Sequence, residues 1–452
     1  MNRRRFLRTI SLPPLATTLG AVSLLGASST PIAAAVSDYR ALVVVFLAGG
    51  SDGLNTLVPT DGAYLDYARA RPDLALPKDS LVLLNGTSAG HSFGLHPGLA
   101  PLAPLYNQQR LAWLANTGVL VEPATAQQVI NLTVKVPPYL SSHSDQQNMT
   151  QGWMGDIDAS GWAGRAIEHF PSNLRNEVQA ATFDRHRALV LGQHSRVSFI
   201  SPGGPRYWGD ADLANPQGYW AQSLNRMAKW QFSNEYQAEF ARTLGGSVTE
   251  STLLTQVYLK AQEPQANFEG NNLASNLRSL ASVLPVFKAM GFKRQVFLVT
   301  WGGFDTHVNQ RGGAAYTQDA QLATVGKALA AFDHANVAAG LNLDVTTLTM
   351  TEFGRTLRQA SGAGTDHAWG NHWSLMGGAV AGGQVLGQLP SLTLGGPDDY
   401  DPQGAGRFVP TISSDQVGNT LMQWMGLPAS TINDVFPNLK NFSQKNLGFM
   451  MT

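Results

Sequence analysis

Residues 41–48 read Ala-Leu-Val-Val-Val-Phe-Leu-Ala, and Gly49-Gly50-Ser51-Asp52-Gly53 follows without a break. An uninterrupted apolar run rich in β-branched residues is typical of a strand that is buried on both faces of a parallel sheet. The glycine-rich segment predicts a tight loop at the carboxyl end of that strand. This stretch therefore indicates a parallel sheet with an acidic residue, Asp52, at one strand end.

In the second half of the chain, a predicted helix is followed by a predicted buried strand, and this order occurs twice. Helical spacing of apolar residues over 271–290 precedes a predicted strand at 295–300, and a predicted helix at 318–338 precedes a strand at 345–350. Alternation of helices with buried strands predicts an α/β fold class, with a mainly parallel central sheet flanked by helices.

The rest of the mature chain is assigned to the same domain. Residues 120–270 are less regular, with helical patterns at 217–243 and 248–262, and we expect an inserted cap or an excursion between the two halves of the sheet. Residues 414–425 predict a closing helix with a serine N-cap. Residues 36–452 are thus expected to form a single α/β domain.

The N-terminus has the pattern of an export signal. Arg3-Arg4-Arg5-Phe6-Leu7-Arg8 matches the twin-arginine motif, an apolar stretch too short to span a bilayer covers 15–25, and Ala33-Ala34-Ala35 offers a cleavage site. Residues 1–35 are therefore predicted to be a twin-arginine signal peptide, and the alternative is a disordered basic tail. The signal implies passage through the twin-arginine translocase to a periplasmic or secreted location.

The composition excludes several classes of partner and ligand. Basic and acidic residues balance at 31 each, so the chain lacks the basic excess that a nucleic-acid partner would require. The chain has no cysteine, so any metal must be bound by carboxylate, imidazole or hydroxyl groups. No second apolar run reaches membrane-spanning length, and we therefore expect a mature protein that does not span a membrane.

Three acidic residues each follow a predicted strand. Asp52, Asp305 and Glu352 lie just past the runs that end at residues 48, 300 and 350. Ligands bind outside the carboxyl ends of the strands in open parallel sheets, and three carboxylates that meet there would repel one another without a cation. The alternative is that each acid caps the helix that follows it.

Histidines accompany these acids and favour the metal interpretation. His307 follows Asp305, while Asp366, His367 and His372 share one glycine-containing segment, and His143 lies in a further polar segment. Imidazole with carboxylate suits zinc, manganese or iron, and a carboxylate-rich site would also accept magnesium or calcium, so we expect one or two divalent ions. The other histidines are expected to be ordinary core or surface residues: His91, His96, His169, His186, His194 and His334.

Two further positions are candidates for catalysis. Ser142, in Ser141-Ser142-His143-Ser144-Asp145, precedes a polar helical stretch and could be a nucleophile activated by a metal, or an ordinary N-cap. Asn116-Thr117-Gly118 is a rival location for the nucleophile. Arg355 could bind a phosphate or sulfate through two hydrogen bonds, or form a structural ion pair.

Motifs along nearly the whole mature chain resemble a known family. They are VVVFLAGGSDGLNTLVP, FGLHPGLAPLAPLY, SSHSDQQNM, GGFDTH, TEFGRT and GTDHAWGNH. Together with the leader, they resemble the exported bacterial family filed as domain of unknown function 1501. That family is placed by similarity with the alkaline phosphatase and sulfatase superfamily, whose members hold two metal ions beside a Ser, Thr or formylglycine nucleophile. The resemblance implies an alkaline-phosphatase-like fold.

The resemblance also implies roles for individual residues. The implied metal ligands are Asp52, Asp305, His307, Glu352 and either His367 or His372. The superfamily usually has an Asp-His pair where this chain has Glu352-Phe353, and this departure counts against a second metal. The nucleophile is implied at the SSHSD segment, with Ser142 first.

Taken together, the sequence predicts an exported metal-dependent hydrolase that acts on a phosphate or sulfate ester. The substrate would be a small-molecule or glycan ester. An alternative from a different class is a metal-stabilised, non-catalytic binding or assembly protein of the cell envelope. A third possibility is hydrolysis of amide or glycan bonds by metal-activated water.

Overall fold

The apolar run at 41–48 forms strand β1 (Arg40–Ala48), in which every side chain from Ala41 to Phe46 is at most 2% exposed. Such a strand needs protein on both faces and a paired neighbour at both edges. The computed structural model, which describes residues 38–153, 159–184, 187–205, 215 and 217–451, supplies all of these.

The other elements follow along the chain. The strands are β2 Leu57–Pro59, β3 Val82–Leu83, β4 Phe93–Leu95, β5 Leu111–Gly118, β6 Ala180–Thr182, β7 Ser198–Ser201, β8 Gly204–Pro205, β9 Arg294–Gly302, β10 Val345–Met350, β11 Asn371–Met376, β12 Gln384–Gly387 and β13 Ile412–Ser413. The α-helices are α1 Tyr64–Ala70, α2 Ala103–Asn107, α3 Ala126–Ile130, α4 His143–Thr150, α5 Trp162–His169, α6 Tyr219–Ala228, α7 Glu235–Lys260, α8 Asn272–Ala289, α9 Gln318–Ala338, α10 Ser414–Met425 and α11 Ile432–Val435.

The large sheet has the order β12-β5-β11-β10-β1-β9-β6-β7-β8, with β13 also paired to β5. Strand β1 runs parallel to both of its neighbours, with Val44 opposite Leu348 of β10 and Leu298 of β9. Strand β11 is antiparallel to β10 and β5, and β8 is antiparallel to β7. The predicted α/β class with a mainly parallel central sheet is confirmed.

Helices cover both faces of this sheet because alternate side chains of β1 point in opposite directions. Val43 belongs to a core shared with helices α8 and α9, which includes Leu329. Val44 belongs to the opposite core, shared with α5 and α10, which includes Leu421. The sheet is thus the middle layer of three.

The predicted helix boundaries are confirmed at 318–338 and 414–425, where Ser413 is the N-cap of α10. The boundary expected near residue 245 is wrong, since α7 continues through Gly245 and Gly246 and the break lies at 229–234. A Cβ atom on Gly246 would overlap the Arg196 guanidinium, and one on Gly245 would lie 3.2 Å from Cβ of Ala228. These glycines therefore permit close packing and do not end the helix.

The irregular region contributes to both the sheet and its surroundings. Residues 120–270 supply β6 and β7 on one side of β9, and they include helices α3 to α7.

No helix within the described ranges is long and apolar enough to cross a membrane. The predicted signal peptide, 1–35, and His186 lie outside the described residues.

Truncation of a central core residue should lower stability. Leu42, at 0% exposure, lies on β1 at the middle of the sheet. We expect Leu42→Ala to reduce the free energy of unfolding by about 3 kcal/mol, because it removes buried methyl groups and leaves a cavity. Urea unfolding measures this change. The matched control Leu65→Ala, at a side chain that is 66% exposed, should change stability little. Equal losses in both variants would contradict the assigned core.

Candidate metal centre

Three loops meet because their strands are adjacent and parallel. The loops after β1, β9 and β10 leave the same edge of the sheet. Gly49, with φ of 116°, allows the first loop to touch the second, since a Cβ atom there would lie 2.5 Å from the Asp305 backbone nitrogen. A Cβ on Gly50 would overlap the ring of Phe353 in the third loop. The glycine pair is thus required for the loops to approach.

Helix α4 brings a fourth segment to this edge. His143 is its first residue, directly after the N-cap Ser142, whose side chain accepts a hydrogen bond from the backbone N–H of Asp145. The Gln146 side-chain amide donates to the carbonyl oxygens of Pro138 and Tyr139, and it thereby fixes the chain that precedes the helix. His143 is held over the strand ends as a result.

Three imidazoles converge on one carboxylate oxygen. Nε2 of His143, His307 and His367 lies 3.3, 3.1 and 3.2 Å, respectively, from Oδ1 of Asp305. Nε2 of His307 and of His367 are 3.0 Å apart. The Arg355 guanidinium reaches the same oxygen, at 2.6 Å.

The other ring nitrogen of each histidine faces a hydrogen-bond acceptor. Nδ1 of His143 lies 2.8 Å from Oε1 of Glu352, and Nδ1 of His307 lies 3.1 Å from Oδ1 of Asp366. Nδ1 of His367 lies 2.8 Å from the carbonyl oxygen of Ser141. Carboxylates and carbonyls accept, so each Nδ1 carries the proton. A neutral ring then presents an unprotonated Nε2, and three such lone pairs face the Asp305 carboxylate.

This arrangement brings acceptors together without matching donors. Nε2 of His143 is buried and has no hydrogen-bond partner within the described ranges. Nε2 of His307 and of His367 would oppose lone pair to lone pair in their neutral forms. A cation removes both conflicts, and metal-bound histidines in general donate their second ring N–H to an outer carboxylate or carbonyl, as here.

The distances also fit a metal ion. The candidate ligand atoms of His143, Asp305 and His367 all lie within 4.8 Å of one another. His307 is outside this mutually close group but contacts two of its members, and its side chain is 43% exposed. Ligand atoms around a tetrahedral ion with bonds of about 2.0 Å are about 3.3 Å apart. The contacts to Asp305 match that spacing.

The charges around Asp305 stabilise its ionised form. Burial opposes ionisation, but the hydrogen bond and the charge of the Arg355 guanidinium outweigh it and hold the pKa of Asp305 well below its usual range. The hydrogen bond from His143 to Glu352 raises the pKa of His143 against the effect of burial. Burial lowers the pKa of His367, although the Ser141 carbonyl and Asp305 oppose this shift. Asp305 is thus an anion that is ready to bind a cation.

Glu352 and Asp366 lie behind the cluster and orient it. Glu352 is 2% exposed, and its Oε1 accepts from Gly49 N–H at 2.8 Å, from His143 and from Gln147. Asp366 contacts the cluster through Nδ1 of His307, the ring nitrogen that faces away from Asp305. Both were predicted as metal ligands, and the structure places them one step further out.

Asp52 is not brought to the cluster. Its side chain is fully buried and pairs with the fully buried Arg71 guanidinium, at 2.6 Å. The Gln310 amide donates to the same carboxylate at 2.7 Å, and the Leu54 N–H donates at 3.1 Å. The Arg71 guanidinium therefore supplies the positive charge beside Asp52, where a metal ion was expected.

His372 is also separate from the cluster, because it belongs to strand β11 and not to the preceding loop. It is 7% exposed, and its Nδ1 accepts from the backbone N–H of Asn116 at 3.1 Å. Burial lowers the pKa of His372 to about 4. This histidine is consequently a neutral core residue in the structure.

The predicted catalytic positions have structural partners. The Ser142 hydroxyl accepts from the backbone N–H of Asp145, as an N-cap residue does, and it also donates to the Asp145 carboxylate. The Arg355 side chain is fully buried, and its nitrogens donate to Asp305 and to backbone carbonyls. In the rival segment, Thr117 is buried, and its hydroxyl donates to the carbonyl of Leu114. Arg355 thus forms the ion pair that was the alternative to binding an ester anion.

Several contributing groups were not predicted. The Ser141 carbonyl holds His367, and the Phe353 ring packs 4.7 Å from the rings of both His143 and His367. Gln147, which donates to Glu352 at 3.0 Å, is four residues after His143, so helical spacing could have placed both on one face. No local pattern indicates the backbone carbonyl.

Fold and site together define an α/β protein with a histidine and aspartate cluster at the carboxyl ends of parallel strands. The chain belongs to the family described as "Protein of unknown function (DUF1501)", whose family model matches residues 39–399. The family suggested by the sequence motifs is therefore confirmed. No curated protein matches the chain.

Solved structures give more distant similarities. The lipoteichoic acid synthase LtaP from Listeria monocytogenes is 8% identical with a TM-score of 0.34, over 87% of this chain and 73% of that chain. A phosphonate monoester hydrolase, SpPMH from Silicibacter pomeroyi, is 8% identical with a TM-score of 0.32, over 86% and 73%. The PsFucS1 sulfatase from Pseudoalteromonas sp. is 10% identical with a TM-score of 0.30, over 84% and 71%. Similarities at this level carry no conclusion about chemistry.

The buried neutral state of His372 predicts a loss of stability in acid. The pKa of His372 is about 4 in the folded protein against an ordinary 6.5, so the unfolded chain binds the proton more readily between these values. The free energy of unfolding should therefore be unaffected by His372 above pH 6.5. It should fall by about 3 kcal/mol as the pH drops from 6.5 toward 4.

Urea unfolding in the presence of a chelator, between pH 4 and 7, measures this contribution. His372→Asn retains a hydrogen-bond acceptor for the Asn116 N–H and should flatten the pH dependence. His334→Asn, at an exposed histidine, is the matched control and should follow the wild type. A parallel slope for wild type and His372→Asn would contradict a depressed pKa.

Proposed function

We propose that this protein is a metal-dependent hydrolase that acts on a phosphate or sulfate ester. The observation that carries the proposal is the convergence of three histidine Nε2 atoms on Asp305 while each Nδ1 donates to an outer acceptor. A divalent ion bound there would supply Lewis-acid chemistry to an ester oxygen. Three imidazoles and one carboxylate suit zinc, manganese or iron better than magnesium or calcium, which prefer oxygen ligands.

The chain's own residues would hold that ion and leave it accessible. Glu352, Asp366 and the Ser141 carbonyl fix the three rings, and Arg355 balances the Asp305 charge. Asp305 and His307 remain 47% and 43% exposed at their side chains, so a substrate can approach from that side. An open side is typical of catalytic metal sites, whereas structural sites are closed.

We infer one ion per chain. Arg71 supplies the positive charge beside Asp52, and Phe353 stands where the superfamily would carry a further histidine. Asp305, His143, His307 and His367 account for a single cluster.

We also propose that the protein is exported through the twin-arginine translocase to the periplasm or the exterior. The support is the sequence of residues 1–35, with its Arg-Arg motif, short apolar stretch and Ala-x-Ala site.

A second candidate function is a metal-stabilised binding or assembly protein of the cell envelope. The Arg355 guanidinium already donates hydrogen bonds to Asp305 and to backbone carbonyls, and the Ser142 hydroxyl caps α4. Neither is then free to bind or attack an ester. A metal centre without these groups would stabilise the loops while a partner binds elsewhere.

Metal content is the first test. We expect one divalent ion per chain by inductively coupled plasma mass spectrometry, and its loss in Asp305→Ala and His367→Ala, because both remove a ligand. Metal affinity should fall as pH drops, since the imidazoles must be unprotonated to bind, and the raised pKa of His143 makes the decline begin above the ordinary histidine value of about 6.5. The exposed His334→Ala variant should keep the metal. Absence of metal from folded wild-type protein under every loading condition would refute the proposal.

Activity separates the two candidate functions. We expect the metal-loaded protein to hydrolyse p-nitrophenyl phosphate or p-nitrophenyl sulfate, and Glu352→Gln to lower kcat/KM by about 10- to 100-fold, because His143 loses its carboxylate partner.

Ser142→Ala should retain most of that activity while stability falls by about 1 kcal/mol, as expected of an N-cap. Loss of activity in Ser142→Ala at unchanged metal content would instead identify Ser142 as the nucleophile. If no ester is hydrolysed although metal is bound and melting depends on it, the binding function is correct.

A further inference from the structure

A cavity of about 330 Å³ is lined in part by Pro138 and Tyr139, which belong to the chain that precedes α4. Its wall includes Pro138, Tyr139, Met149 and Trp153, and Arg165 and Asp415 also line it. We call it the Tyr139 pocket. Most ligand pockets combine such an apolar lining with a few polar groups that set specificity.

The polar group that distinguishes this pocket is the carboxylate of Asp415. Asp415 is in the first turn of α10, where the helix dipole favours a negative charge. Its carboxylate accepts no hydrogen bond from any residue that the structure describes. Burial raises the pKa of Asp415 to about 6, although the nearby Arg165 charge opposes this shift. A partly buried carboxylate without a donor favours a ligand that brings one.

Arg165 does not fill this role. Its guanidinium donates to the carbonyl oxygens of Gly152 at 2.8 Å, Ser160 at 2.7 Å and Val435 at 2.9 Å. The guanidinium also donates to the Ser160 hydroxyl at 3.1 Å, and the arginine therefore ties α5 to the chain around it.

The backbone of Tyr139 is held by local hydrogen bonds. Tyr139 has φ of 56°, a left-handed conformation that few non-glycine residues adopt, and its carbonyl accepts from the Gln146 amide at 3.2 Å. The same amide binds the Pro138 carbonyl at 2.8 Å. The Tyr139 side chain is 71% exposed, so its ring remains available at the pocket mouth.

We propose that the Tyr139 pocket binds an organic ammonium group, with Asp415 accepting its N–H and the rings of Tyr139 and Trp153 against its apolar body. The Asp415 carboxylate attracts a cationic donor more strongly than a neutral one. The Arg165 charge acts against this attraction, but its nitrogens already donate to backbone oxygens and leave the carboxylate without a donor. Aromatic rings add attraction for a cation. The apolar lining selects a ligand with a hydrocarbon or aromatic portion next to the charge.

The pocket and the metal centre share one segment. Tyr139 is two residues before Ser141, a separation of at most about 7 Å along the chain, and the Ser141 carbonyl contacts His367. The ammonium site itself does not rest on the proposed hydrolysis.

Isothermal titration calorimetry at pH 7.5 tests this site with phenethylammonium and, as a neutral analogue of similar size, 2-phenylethanol. We expect the wild-type protein to bind the ammonium about tenfold more tightly than the alcohol. Asp415→Asn should remove this preference, and Tyr139→Leu should weaken ammonium binding. The matched control Asp79→Asn, at an exposed carboxylate far along the chain, should retain the preference.

A failure of ammonium binding can be distinguished from a failure of metal binding. Asp415→Asn and Tyr139→Leu are expected to fold, because one removes a carboxylate charge that accepts no hydrogen bond and the other an exposed ring, and melting curves verify this. Ammonium binding should survive a chelator, since none of the candidate metal ligands lines the pocket. Equal affinity for the two probes, no ammonium binding by wild type, or an unchanged preference in Asp415→Asn would each overturn the proposal.

Discussion

The buried guanidinium of Arg355 joins the loops on which the rest of the site depends. It donates to Asp305 and to the carbonyl oxygens of Gly49, Gly50, Phe304 and Thr365. A planar group with five donors can tie several backbone segments together while it balances one carboxylate. Removal of one partner from such a buried network leaves the other uncompensated, which is why the arrangement behaves as a unit.

Two of the acidic residues at strand ends, Asp52 and Asp305, have different roles because their neighbours differ. Asp52 is enclosed with Arg71 and is neutralised inside the protein. Asp305 is half exposed, and its single arginine contact leaves it facing three imidazoles. The same residue type at equivalent strand ends is therefore structural in one loop and a candidate ligand in the other. Burial and the local count of cations decide between these roles.

The geometry of the histidines depends on their outer partners more than on their positions in sequence. Glu352, Asp366 and the Ser141 carbonyl each fix one Nδ1 proton, which turns the three Nε2 atoms inward. Phe353 packs against two of the rings and limits their rotation. A site that orients its rings in this way needs little rearrangement to bind a cation.

The sequence by itself determined the sheet and the edge where chemistry is expected. The apolar run at 41–48 and the alternation of helix and strand predict parallel strands, and the position of an acid after each strand follows directly from chain order. Only the tertiary structure decided which acids meet. Arg71 reaches Asp52, and His372 turns into the core on β11, because side-chain direction and burial depend on contacts between residues far apart in the chain. Local sequence patterns do not indicate contacts between distant residues, so the contact between the Ser141 carbonyl and the His367 ring could not be predicted either.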